Sequence, residues 1–194
     1  GDLVRDWAVH KGSDVLFPYD DSHPPSLRDL GWREKHWCWP SKINLQNRLM
    51  FGKMPADDGM EWYEYRFFSK ERYSDKYKIS FPFVSTHNHF TLNRGGKLFN
   101  RTAPMIKLLD SSTEEDHLAI VGLLNSSIAC FWMKQVFFPK ATPSGDISIE
   151  KGKPETNRYE FTGTGLQQFP IPIDKKSLRN SQIMHLGRAL DALA

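Results

Sequence analysis

Apolar positions recur at steps of three and four between Asp116 and Val136. Leu118, Val121, Leu124, Ile128 and Phe131 set the stripe, and Leu123 and Trp132 widen it. That is the period of a helix facing a core. Ser112 or Thr113 can cap its start, with Glu114, Glu115 and Asp116 in the first turn, and Pro139 stops it. The pattern predicts one long scaffold helix over about 114–137. A second helix opens at Ser177 and runs through Leu193, with Ile183, Leu186 and Leu190 on one face.

Strand signals fill much of the rest. Tyr77–Val84 reads as a strand, interrupted at Pro82 and so an edge or a bulge. His87–Leu92 reads as a second strand. Arg94-Gly-Gly-Lys97 is a turn in which glycine supplies a positive φ. Leu98–Phe99 and Met105–Leu109 follow as short strands. Tyr159–Thr162 and Phe169–Ile173 flank a Gly163-Thr-Gly165 turn, and 139–158 has the composition of a long surface loop. Before residue 60 the signals are weaker. Val15–Tyr19 is extended, 20–25 is a turn-rich connector, and 47–52 ends a short helix with Gly52 as its C-cap. The expected fold is α+β, a mixed or antiparallel twisted sheet of short strands with a scaffold helix and a C-terminal helix. The expected division is one domain over 1–175, with 1–60 as its linker or adaptor, and a helix over 176–194.

Composition sharpens this picture. A chain of 194 residues with 13% aromatics and six Trp is not a disordered tail. Net charge is only +3, but 66–107 carries nine Lys/Arg against Glu71 and Asp75, a local balance of +7. Such a field steers phosphates toward it, and a merely solvated basic face has the same composition. Cys38 and Cys130 lack CxxC partners and read as small buried hydrophobes of a reducing, cytoplasmic setting. No signal peptide is visible, and no apolar run approaches the roughly 18 residues of a membrane span. The absence of an initial Met suggests a piece cut from a longer protein.

Catalytic signatures are missing. Gly96-Lys97 and Gly152-Lys153 are not followed by Ser or Thr, so neither is a phosphate-binding loop. Gly163-Thr-Gly165 lacks a third glycine. No nucleophile elbow occurs. The Asn/Asp-Pro-Pro-aromatic motif of amino-methyltransferases is absent, and His23-Pro-Pro-Ser26 does not supply it. His87-x-His89 has metal-like spacing on a strand, but nothing nominates further ligands, so no metal is expected.

Candidate DNA contacts are more numerous. Arg94 and Lys97 flank bare glycine backbone, where a phosphate can approach closely. Asn88, Asn93, Asn100 and Arg101 are the types that read adenine and guanine edges. Lys140, Thr142, Ser144, Lys151, Lys153, Asn157 and Arg158 stud the 139–158 segment. Among the aromatics, Phe131, Trp132, Trp62 and Phe67 read as packing residues. Trp7, Trp32 and Trp37 either stack on a flipped base or pack within the protein, and packing is the expectation.

The stretch from Phe83 to Leu108 (FVSTHNHFTLNRGGKLFNRTAPMIKL) resembles the C-terminal region of adenine-specific DNA methyltransferases of BREX phage-defence systems, the PglX family and its type 2 branch. Asp116–Gln135 and Tyr159–Pro172 resemble the same region. More broadly, Gly-Leu-Leu-Asn-Ser on a helix, a variable loop and then Phe-Pro-Ile-Pro is similar to target-recognition domains of the TaqI-like and type I specificity-subunit kind. The resemblance implies a domain that grips duplex DNA so that a separate methyltransferase domain can flip out an adenine. S-adenosylmethionine would bind in that other domain, leaving this chain without a cofactor or methyl transfer of its own. Implied partners are double-stranded DNA, the missing N-terminal methyltransferase domain, and other BREX proteins or a phage DNA-mimic inhibitor. Two alternatives stand beside it. One is a small metal-dependent nuclease using His87, His89 and Asp116. The other is a protein-interaction module, for which an exposed apolar stripe on the final helix would speak.

Overall fold

Aromatic rings, rather than aliphatic side chains, hold residues 13–75 together. The computed structural model describes residues 3–10, 12–22, 24–68, 70–73, 76–140, 157–171 and 182–192. It divides into two units, one of residues 13–75 and one of residues 1–12 with 76–194. In the smaller unit Phe17 packs edge-on to Phe68 at 5.6 Å and lies 4.6 Å from Tyr73, while Tyr19 stacks on Phe68 at 4.9 Å. The polar ends of these rings find partners, as buried Tyr requires. The Tyr19 hydroxyl accepts from the Tyr65 N–H, and the Tyr65 hydroxyl donates to the Leu16 carbonyl. Burial pushes the Tyr19 phenol up to about 12.

Around this ring cluster lie the short helices α1 (Trp32–Cys38), α2 (Lys42–Gln46) and α3 (Lys70–Tyr73). Glu34 fixes the start of α1 by accepting the Gly31 N–H and pairing with Arg28. Arg48 ties down the end of α2, its guanidinium donating to the carbonyls of Leu45, Trp62 and Glu64. Residues 13–60 are thus folded structure within this unit. Gly52 is not a helix C-cap. With Phe51 it forms a two-residue turn at positive φ, closed by paired bonds between Met50 and Lys53.

The larger unit is α+β, as the hydrophobic pattern predicts, but its elements are shorter. Strands β1 (Val4–Arg5) and β2 (Ala8–Val9) form a hairpin. β3 (Lys78–Ser80) lies between β5 (Thr91–Asn93) and β6 (Met105–Ile106), antiparallel to both. β4 (Val84–Ser85) pairs with β7 (Tyr159–Glu160). The strand expected over 77–84 is therefore two strands, and the break falls at Pro82, which has no N–H to give a ladder. Leu98–Phe99 forms no strand. Residues 169–171 are not a strand either, and Gly163–Leu166 is a short helix, α6, capped by Thr162 rather than a plain turn.

The long scaffold helix is two helices. α4 (Glu114–Leu124) and α5 (Ser127–Val136) meet at 67°. Ser126 is extended and caps α5, its hydroxyl accepting the Ala129 N–H. Asn125 bonds to the sheet side: its Oδ1 accepts the Phe90 N–H at 2.9 Å and its Nδ2 donates to the Phe90 carbonyl at 2.7 Å. One amide side chain thereby imitates a strand neighbour. The core gathers beneath this bend from Ile79, Phe81, Phe90, Val121, Met133 and Phe161, all essentially inaccessible. The bend also turns Phe131 outward, to 69% exposure, so Phe131 is not the core residue its spacing suggested. The last helix, α7 (Gln182–Ala192), packs on α4 at Gly187, where a Cβ would lie 2.1 Å from the Leu118 carbonyl oxygen. Among the described residues no single helix is long and apolar enough to cross a membrane.

Candidate nucleic-acid interface

The connection from β5 to β6 carries most of the basic candidates, and the sheet register separates them into two groups. Asn93 pairs with Lys78, so Arg94–Lys97 leaves the sheet at the end where β3 begins. Met105 pairs with Ser80, and the ladder runs on through Phe81 N–H to the Pro104 carbonyl and Phe83 N–H to the Thr102 carbonyl. Asn100–Ala103 therefore lies at the opposite end, where β3 finishes.

At the first end, charge is already neutralised. Arg94 donates from Nη1 and Nη2 to the two Asp191 carboxylate oxygens at 3.0 and 2.6 Å, and from Nε to Glu114 at 2.8 Å. These bonds, led by that to Asp191, hold the guanidinium well above its usual range, and Arg94 with Tyr77 holds the Glu114 carboxyl below its own. Arg188 on α7 makes a parallel bond to Glu115. Asn93 is buried with its Nδ2 unpartnered. Gly95 and Gly96, both at positive φ, supply the expected turn, after which Lys97 is exposed with no ion-pair partner among the described residues.

At the second end, the Asn100 side chain is used locally. Its Oδ1 accepts from the Thr102 N–H and hydroxyl, while the Ala103 N–H donates to the Asn100 carbonyl. This double closure makes a rigid turn. Arg101 projects from it, exposed and without an ion-pair partner among the described residues. Phe83 links the turn to β7, since Phe83 N–H donates to Thr102 and the Phe83 carbonyl accepts the Phe161 N–H. From β7 the ladder continues to Pro139, paired with Tyr159, and to Lys140, whose N–H donates to the Arg158 carbonyl. Arg158 is exposed and without an ion-pair partner among the described residues, whereas Lys140 is held by Glu160. Asn157 has a buried, unpartnered Oδ1. Thr142, Ser144, Lys151 and Lys153 lie outside the described residues.

Asn88 belongs to neither end. It is buried, and its Nδ2 donates to the Leu124 carbonyl at 2.5 Å and the Ser126 carbonyl at 3.3 Å, capping the last turn of α4. An amide spent this way on orphan helix carbonyls cannot read a base edge. Nothing in the local sequence signals that commitment, because Asn88 meets the Leu124 and Ser126 carbonyls only through the fold.

The histidines make no metal centre with Asp116. His87 and His89 have ring centroids 4.1 Å apart, and the His89 Nδ1 accepts the Asp6 N–H at 3.1 Å. Burial, with His87 beside it, pushes the His89 imidazole down to about 4. The Asp116 carboxylate accepts the Thr113 N–H in a capping box at the start of α4. Among the described residues no group of three or more His, Cys, Asp or Glu is placed to hold a metal ion. The Gly163-Thr-Gly165 segment packs closely on α5's end, the Phe137 ring lying 2.2 Å from where a Gly165 Cβ would stand.

The molecule is thus an α+β scaffold that exposes Arg101 and Arg158, with no assembled catalytic centre among the described residues. No protein-family model matches the chain. It is similar to the adenine-specific methyltransferase PglX of Streptomyces coelicolor (strain ATCC BAA-471 / A3(2) / M145), 41% identical over 200 aligned residues that take in all of this chain and 16% of that protein. The chain therefore spans about one sixth of the length of the curated relative it matches. That similarity supports reading it as a piece of an adenine-specific methyltransferase of the PglX kind.

Proposed function

We propose that this chain is the DNA target-recognition part of an adenine-N6 DNA methyltransferase of a BREX phage-exclusion system, acting in the cytoplasm on double-stranded DNA. The observation that carries the reading is that both the rigid Arg101 turn and the β7 segment that begins after Arg158 are bonded to Phe83, with neither guanidinium ion-paired among the described residues. Guanidinium forks suit both phosphate and guanine edges. Whole-chain similarity to a methyltransferase six times longer supports the assignment to a part rather than to the catalytic whole. S-adenosylmethionine and the methyl-transfer step belong to other parts of that polypeptide, and no step is assigned to these residues.

Fluorescence anisotropy with a random-sequence duplex, at about 50 and about 200 mM salt, tests this. The chain should bind more weakly at the higher salt. Replacing Arg101 and Arg158 together by Ala should lower affinity about tenfold and flatten the logarithmic salt slope by about two, one per phosphate contact removed. Unchanged affinity and slope would remove these arginines from the interface.

A further inference from the structure

Helix α1 carries exposed rings that the duplex-binding reading does not use. Trp32 and Trp37 are 74% and 73% exposed. Residues four apart share a helix face, so Trp32 aligns with His36 and Arg33 with Trp37. Trp32 stacks on His36, ring centroids 5.1 Å apart and planes 14° from parallel. Just beyond the helix, Lys42 Nζ sits 4.2 Å from the centroid of the exposed Trp39 ring. Packing was the expectation for Trp32 and Trp37, and the structure packs neither.

Exposed aromatics of this extent mark a binding surface. Charge selects the occupant. Of the five Lys/Arg over 31–53, Lys35 pairs with Asp29, Lys53 with Asp58 and Arg48 is spent on carbonyls, which leaves Arg33 and Lys42, while the Glu34 carboxylate is taken by Arg28. Arg33 has no ion-pair partner among the described residues. Rings interleaved with cations are the composition of a platform for a single strand, where bases stack and phosphates are held between them. We infer that α1 binds single-stranded DNA passing around the helix, unpaired bases stacking on Trp32 and Trp37 on its two sides while Arg33 and Lys42 hold the phosphates. None of these residues belongs to the Arg101 turn, and the duplex reading is not needed for them.

The test uses the whole chain and a fluorescein-labelled oligodeoxythymidine of about 20 nucleotides. Binding should be measurable at low salt, about tenfold weaker for an abasic oligomer of equal charge, and about tenfold weaker after Trp32→Ala or Trp37→Ala. Trp37→Phe should restore most of it, and duplex binding should be unchanged in all three variants. Absence of oligothymidine binding overturns the inference, as does equal affinity for the abasic strand. So does self-association in sedimentation that Trp37→Ala abolishes while strand binding is absent, since the face would then serve a second copy of this chain. Loss of duplex binding in the Arg101/Arg158 variant, with oligothymidine binding intact, separates the two readings.

Discussion

Arg94 and Arg101 occupy the same connection, seven residues apart, and the sequence around each is alike: amide, arginine, small turn residues. The fold gives them opposite fates. Arg94 is clamped between Glu114 at the start of α4 and Asp191 on α7, so its charge fastens the C-terminal helix. Arg101 sits on a turn closed by Asn100 alone, and its charge faces outward. A count of basic residues treats the two as equal, yet an arginine already answered by two carboxylates offers little to a phosphate. What separates the clamped charge from the exposed one here is the arrival of a helix 97 residues away along the chain.

The contrast can be broken at the clamp first. Gly187→Ala should produce the largest effect, about 3 kcal/mol of stability, because the new methyl meets the Leu118 carbonyl and α7 must lift from α4. Urea unfolding would show it, and a loss under about 0.5 kcal/mol would mean that α7 does not dock as described. Arg94→Ala should cost about 1 kcal/mol, modest because the side chain is about half exposed, and should leave the salt slope of duplex binding unchanged. Acid sharpens the same point. The Glu114 carboxyl is depressed below its ordinary 4.5, so its stabilising contribution is full above that value and is lost as pH falls through the lower folded value. Amide exchange in α7 should accelerate there, whereas the Asn100 turn, closed by a non-titrating amide, should not respond at its own amides. The smallest effect belongs to the other end: Lys97→Ala with Arg101→Ala should change stability by less than about 0.5 kcal/mol.

Local rules carried the reading of the sequence a definite distance. The cap at Thr113, the glycine turn at 95–96, the apolar period of 118–124 and the α+β class are all decided within a few residues, and the structure has them. The 67° bend was written in Asn125-Ser126, a stop residue followed by a cap, but an unbroken apolar stripe on both sides concealed it. The roles of Arg94 and Asn88 were not legible at all. Each depends on a partner more than 19 residues away, and a single sequence records no pairing at that range. The same holds for Trp32 and Trp37, whose large apolar rings read as packing residues until their exposure is seen.

The amide exchange between Asn125 and Phe90 also bears on how the protein ages. Spontaneous deamidation of an Asn-Ser pair requires the following backbone nitrogen to swing onto the side-chain carbonyl carbon. At Asn125 that side chain is pinned at both of its polar atoms, so the folded chain resists the reaction and the unfolded fraction undergoes it. Were it to occur, a carboxylate oxygen would replace the amide nitrogen against the Phe90 carbonyl, turning a bond into a repulsion beside the core. Damage at one atom would then unfasten the joint between sheet and helix, and aged molecules would be marked by that failure to refold.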